Sequence, residues 1–329
     1  MPHRIAALGL AAAILLAPLV STAQQAVKKI PRIGFVQAWA GFTLPNQRAF
    51  IDGMRELGYV EGRDFTMEFR YTEGNPERFP PLTAELVQLP VDVMLVGVCG
   101  APLNAARRAT QTIPIVVATC NDDMVETGIV ASMRRPGGNV TGLSKLTPEL
   151  APKRLQLLKQ AVPGMKRVAV LWNPGYSDFK ADWRELGAAA GVLGVTLHPV
   201  EFRRPDDFDA AFAAIARERV DALITFSDAL TYIYAKRVAD LTAAARLPAM
   251  FAFREVAEAG ALMSYGPSIP DMWRRAASYV VRILKGANPA EMAIEQPTRF
   301  EFVINLEAAK ALGLTIAPAL RLQADQLID

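Results

Sequence analysis

The chain has little of the chemistry on which most enzymes and metalloproteins depend. Two histidines and two cysteines in 329 residues are too few for a zinc ribbon or a haem-attachment site. No Gly-x-Ser-x-Gly elbow is present, because Gly175-Tyr176-Ser177-Asp178-Phe179 lacks the closing glycine. No phosphate loop ends in Gly-Lys-Ser/Thr, and no Gly-x-Gly-x-x-Gly follows a strand-like run. His198, before Pro199 on a strand-like run, has no histidine partner beyond the first few residues, so neither a His-based triad nor a His-rich metal site assembles. The expectation is a protein without catalysis, metal or cofactor. The net charge of +3 is spread without a basic block, which argues against nucleic acid as a partner. Beyond residue 23 no apolar run is long enough to cross a bilayer, so no stable membrane insertion is expected.

What is present begins with a leader. His3 and Arg4 precede the uncharged apolar run Ile5 to Ala17, followed by Pro18 and the small residues Ser21-Thr22-Ala23. A basic start, a short apolar middle and small residues at the end form a secretory signal peptide over 1–23. The run is short for a transmembrane anchor, which must span ~30 Å of hydrocarbon. No cysteine lies near the cleavage site, so no lipid anchor is expected and the product is free in the periplasm. Export also changes how Cys99 and Cys120 read. In an oxidising compartment they are either a disulfide pair or two small buried hydrophobes. Both follow apolar strand-like runs, Val91–Val98 and Ile113–Thr119.

Apolar residues make up 51% of the chain, enough for a substantial core. From residue 31, runs rich in Val, Ile and Leu alternate with segments apolar at helical spacing. Arg32–Gln37 and Phe65–Tyr71 read as strands, while Asn46–Leu57, Glu77–Gln88 and Ala101–Thr110 read as helices. This is the pattern of a parallel sheet covered on both faces. The second half then repeats the first. Val168–Trp172 answers Ile33–Gln37, Val220–Ile224 answers Val91–Leu95, Leu247–Phe251 answers Ile113–Val117, and Glu258-Ala259-Gly260 answers Glu126-Thr127-Gly128. The landmarks keep one order and a nearly constant spacing, far longer than a solenoid unit. The fold class expected is α/β, with two doubly wound parallel-sheet lobes produced by duplication. The tail departs from the repeat: Met272–Leu284 and Leu306–Leu312 read as helices and Phe300–Ile304 as a strand.

Several motifs carry a resemblance. Pro136-Gly137-Gly138-Asn139-Val140-Thr141-Gly142 is similar to the PGGNVTG signature of the ABC-transporter substrate-binding family typified by tryptophan-binding lipoproteins. Met263-Ser264-Tyr265-Gly266, Ile283-Leu284-Lys285-Gly286 and Glu295-Gln296-Pro297-Thr298 resemble its later landmarks. The resemblance implies a type I periplasmic binding protein with a three-strand hinge and crossovers near Leu143, Gly266 and Pro297. Its N-terminal lobe would comprise 31–142 plus 267–297, and its C-terminal lobe 143–266 plus 298–329. Asp122-Asp123-Met124-Val125 departs from the Asp-Pro-Val-Gly of many relatives, and the lipid-anchor cysteine is missing.

In doubly wound sheets, ligands bind beyond the carboxyl ends of the strands. Those ends carry Gln37, Trp39, Cys99, Gly100, Ala101, Thr119, Asn121 and Asp122 in the first lobe. The second lobe contributes Trp172, Asn173, Tyr176, Phe226, Asp228, Phe253 and Arg254, and the second crossover contributes Tyr265. Aromatics, amides and a few charges at the tips of aliphatic strands suit a small-molecule site. Each tip keeps a plainer reading. Trp39 and Trp172 either wall the site or cover lobe edges, and Gly100 and Gly175 either permit a tight turn or seat a carboxylate on free N–H groups. Asp228 either caps a helix running Ala229–Ala245 or faces a ligand ammonium. Arg254 and Glu255 would pair with each other at the lip.

The function expected is capture of a small carboxylate-bearing ligand by hinge closure. The ligand would be an aromatic or branched amino acid or an aromatic acid. The protein would be a monomer serving an ABC permease and its ATPase as the binding component of an importer. An extracytoplasmic sensor presenting the same ligand to a receptor is the alternative.

Overall fold

The computed structural model describes residues 29–38, 44–145, 150–174 and 180–329. The expected leader, Trp39, Gly175 and Tyr176 lie outside them. In the first half, strands β1 (Arg32–Gln37), β2 (Thr66–Tyr71), β3 (Val93–Val98), β4 (Ile115–Cys120) and β5 (Val140–Ser144) alternate with helices α1 (Leu44–Glu56), α2 (Phe79–Gln88) and α3 (Ala101–Ala109). They form a parallel sheet of order β2-β1-β3-β4-β5.

The chain then passes to the second sheet. Helix α4 (Leu150–Ala161) leads into β6 (Arg167–Trp172), α5 (Lys180–Leu193), β7 (Thr196–Glu201), α6 (Phe208–Glu218) and β8 (Ala222–Thr225). There follow α7 (Ala229–Ile233), α8 (Ala235–Ala244), β9 (Ala249–Phe251), α9 (Arg254–Glu258) and β10 (Met263–Pro267). Helix α10 (Ile269–Leu284) returns to the first lobe and packs on α1 and β4. Strand β11 (Phe300–Asn305), helices α11 (Leu306–Ala311) and α12 (Pro318–Arg321), and β12 (Gln326–Ile328) complete the second sheet. Its order is β12-β11-β10-β9-β8-β6-β7. Read from β7, this sheet runs β7-β6-β8-β9-β10, the same order as β2-β1-β3-β4-β5. The duplication in the sequence is therefore a duplication of topology. One pair departs from the parallel pattern, since β10 and β11 run antiparallel.

Alternation along the strands sorts side chains between layers. Ile33, Phe35, Val93 and Leu95 face α1 and α10, while Val36, Met94 and Val96 face α2 and α3. In the second sheet Ala169, Leu171 and Leu223 join the same layer as Ile33 and Phe35, and Val168, Val170 and Ile224 pack under α4 and α5. Both faces of each sheet are covered, which is why strands built of Val, Ile and Leu are stable there. Each such side chain removed from water contributes ~1.5–3 kcal/mol.

The crossing strands carry the tightest backbone contacts. At Gly142 in β5 a side chain would collide with the Val117 carbonyl of β4, and at Gly266 in β10 with the Ala252 carbonyl. Beside β5 runs the later return segment: Leu143 bridges Glu295, and the Ser144 N–H donates to the Glu295 carbonyl at 2.9 Å. Two crossings of the chain between sheets thus lie side by side.

Helix Ala229–Ala245 is expected as one piece but is two, broken at Tyr234 (φ −101°, ψ 31°). No glycine or proline marks the break. The Tyr234 ring packs against Phe208 at 6.2 Å, so a tertiary contact accompanies a bend that local sequence does not announce.

Candidate functional site

The carboxyl ends of both parallel sheets face one another, and two hydrogen bonds join the lobes there. Asn121, just past β4, donates through Nδ2 to the Ser227 carbonyl past β8 at 2.8 Å. Tyr232 of α7 donates through its hydroxyl to Oδ1 of Asn46 in α1 at 3.1 Å. Asn46 is buried, and burial raises the Tyr232 hydroxyl above the usual phenol range.

Between these contacts lies a group of buried charges. Lys145 follows β5 at the first crossing and is 7% exposed. Its ammonium lies 5.0 Å from the centroid of the Phe253 ring, a cation–π arrangement in a desolvated setting. Burial lowers its pKa to about 8, with the Arg154 charge acting in the same sense and Asp228 and Glu255 opposing. Arg154, 2% exposed in α4, donates through Nε to the Tyr265 carbonyl of the second crossing strand at 2.7 Å. Burial lowers the Arg154 pKa to about 10, and Asp182 is its strongest opposing charge.

Asp228, 1% exposed, is the N-cap of α7: its Oδ1 accepts from the Leu230 N–H at 2.7 Å. The cap reading of Asp228 is therefore realised in the structure. Its other oxygen, Oδ2, is buried with no hydrogen-bond partner in range among the described residues, though the Asn173 side chain lies against the carboxyl, and Ser227 Oγ and Thr225 Oγ1 are also buried without a partner among them. Burial raises the Asp228 carboxyl to about 6 against the pull of the Leu230 N–H and Lys145. Glu255 in α9 is raised to about 7, again chiefly by burial. Its charge bears on both Lys145 and Tyr232.

The other expected residues are spread over both lobes. Asn173 lies against Asp228, and Trp172 and Phe226 both meet Trp183 edge-on, with centroids 5.4 and 5.1 Å apart. Gln37, half-buried, packs over Gly97 at the end of β1. Thr119 is committed to its own sheet, donating to the Gly97 carbonyl at 2.8 Å. Gly100 (φ 80°) turns the chain into α3, a conformation that glycine adopts without strain. Ala101 opens the helix and Pro102 follows it, so one N–H of that helix start is missing. Tyr265 lies beside Phe300 and Phe302.

Cys99 and Cys120 are disulfide-bonded, with Cα atoms 4.9 Å apart at the ends of neighbouring strands. Asp122 lies near their sulfurs, but two sulfurs bonded to each other offer no thiolates to a metal. The bridge links the turn into α3 to the residue before Asn121. It contributes roughly 3 kcal/mol in the chain-entropy model.

Arg254 requires a correction. It pairs with Glu258 at 2.8 Å and with Glu301 at 3.2 Å, and not with Glu255. Both residues lie on α9, where neighbours in sequence diverge and residues four apart meet. The consequence is that Arg254 is held by Glu258 and Glu301, while Glu255 makes no ion pair with it. Lys145, Arg154, Tyr232 and Asn46 join this candidate site without any signal at a strand tip in the sequence. Lys145 was within reach, three residues beyond the signature glycine Gly142 at an expected crossing. His198 lies on the edge strand β7, 3.4 Å from Glu218, away from this cluster.

A family model described as ABC transporter substrate binding protein matches residues 43–328. A tyrosine-binding protein of Clostridioides difficile is 22% identical over 82% of this chain and 76% of its own. Among solved structures, a conserved domain protein of Vibrio cholerae is 27% identical, covering 91% of this chain and all of its own, with a TM-score of 0.81. An ABC domain from Streptococcus pneumonia in complex with L-Trp is 23% identical with the same coverage and a TM-score of 0.80.

Proposed function

We propose, from the premise that the chain belongs to the ABC transporter substrate-binding protein family, that it captures an aromatic or branched amino acid, or an aromatic acid, between its lobes. The family is one of binding proteins, not enzymes. In this reading the bound form is presented to an ABC permease and its ATPase, after export to the periplasm behind the leader 1–23. The observation that carries the reading is Lys145. It is a buried cation at the crossing between lobes, seated over an aromatic ring and acted on by the charges of buried Asp228 and half-buried Glu255. Such a group of charges is costly to maintain in a scaffold unless ligand polar groups complete it. The tyrosine- and tryptophan-binding relatives support the same ligand class. Capture would proceed by hinge closure, favoured as far as the ligand binds the closed form better than the open one.

Titration calorimetry of the exported protein with L-tryptophan, L-tyrosine, L-leucine and benzoate tests this. Saturable one-to-one binding of at least one is the expected result. It should be lost in Lys145→Met, with the ligand-free melting temperature showing that the variant still folds. No binding by any of the four would sink the reading.

A further inference from the structure

The Cys99–Cys120 bridge stands where two strands of the first sheet end together. Strands β3 and β4 pair in parallel register as far as Val98 and Thr119. The bridge joins the next residue on each, with Cα atoms 4.9 Å apart, and so carries the pairing one step beyond the ladder. On the other side of β4 the register shifts. Val117 pairs with Gly142 and Cys120 with Ser144, so β4 spends one residue more than β5 over the same stretch, the count of a bulge. Past Cys99, Gly100 (φ 80°) turns the chain away into α3, and Cys120 is the last residue of β4. Without the bridge, the end of β4 would lie between a shifted ladder and a strand that has already turned away.

Two contacts of the candidate site depend on that end. The Cys120 carbonyl accepts from the Lys145 N–H at 2.7 Å, and the adjoining Asn121 donates across the lobes to the Ser227 carbonyl at 2.8 Å. Ordering a free strand end costs about as much as one hydrogen bond returns, so the bond between lobes is favoured only where its donor is held in place beforehand. We infer that the Cys99–Cys120 bridge is a positioning element for the contact between the lobes, holding Asn121 against Ser227 and the Lys145 backbone at the first crossing. Its consequence for capture rests on the lobe closure proposed above, whereas its hold on Asn121 needs no ligand. A bridge that served the first lobe alone would lower the melting temperature when lost and would act independently of Asn121.

Ligand-free X-ray scattering of Cys99→Ala with Cys120→Ala, taken well below its melting transition, separates the two roles. Wild type reduced by a phosphine, with both thiols titrated, is the second form should the alanines fail to fold. A lower melting temperature is expected in either role. The positioning role adds a fall of roughly two- to tenfold in the ratio of closed to open forms, the worth of one hydrogen bond, read as a larger radius of gyration. In an Asn121→Ala background, loss of the bridge should enlarge the radius less than it does in wild type, because the contact it positions is already gone. If Asn121→Ala enlarges the radius and a folded, bridge-free protein does not, the inference is overturned while lobe closure stands. Fully additive effects would overturn it as well, since bridge and asparagine would then act separately. If neither change moves the radius, the inference falls together with the contact between lobes on which it depends.

Discussion

Asp228 shows how one side chain can hold two roles that the sequence presents as rivals. Its position before an apolar helical run marks it as a cap, and Oδ1 does cap α7. Its second oxygen is buried at the meeting of the lobes, which no local pattern announces. The burial has a measurable consequence. The folded protein holds this carboxyl at about 6 against an ordinary 3.8, so the fold binds the proton more tightly than the unfolded chain does. Wild-type stability is therefore penalised progressively as pH rises from 3.8 to about 6, and fully above that. Asp228→Asn keeps a capping oxygen and has no such titration. Its melting temperature relative to wild type should climb between pH 4 and pH 6 and then level off. A difference that is flat or falling over that interval, by scanning calorimetry, would show that the carboxyl is not desolvated in the fold.

At the scale of elements, the crossing strands β5 and β10 are the points where a small residue is compulsory. Gly142 combines a φ of 134° with a position where any side chain would meet the Val117 carbonyl. Gly142→Ala must either push β5 off β4 or strain the backbone, and should cost about 2 kcal/mol. Urea unfolding should show a lower midpoint at unchanged slope, and an unshifted midpoint would mean that the strands separate there without cost. The glycine is plain in the sequence as the end of a motif, but its reason is not. Strand register across β4 and β5 puts it against a carbonyl, and the spacing of residues along one strand does not contain that register. The pair Arg254 and Glu255 shows the same limit in reverse. Adjacent opposite charges look like partners until the segment is known to be helical.

For the molecule as a whole, the two lobes repeat one strand order and meet through contacts that join residues far apart in the chain. Asn121 to Ser227 and Tyr232 to Asn46 are direct bonds between lobes, each worth about 0.5–1.5 kcal/mol. Under the proposed hinge closure, loss of both should move the balance between closed and open forms by roughly tenfold. The double variant Asn121→Ala with Tyr232→Phe should give a larger radius of gyration by X-ray scattering without ligand, while each lobe stays folded. A scattering curve superimposable on wild type would show that these bonds do not hold the lobes together.

Much of this architecture is legible in the sequence. A run of apolar residues is a local signal, so β1 (Arg32–Gln37) can be placed residue for residue, and the repeated landmarks imply two lobes of one design. The strand tips could be named because doubly wound sheets put their loops at one end. What the tertiary structure decided was which of those tips carry charge out of water. Lys145, Arg154 and Glu255 are ordinary surface residue types in the sequence. They become candidates because two crossings, α4 and α9 converge on them, burying Lys145 and Arg154 and half-burying Glu255. Desolvation and charge pairing depend on everything within a few ångströms, whatever its distance along the chain. Periodicity could therefore determine the scaffold, and only packing could determine the electrostatics of the space between the lobes.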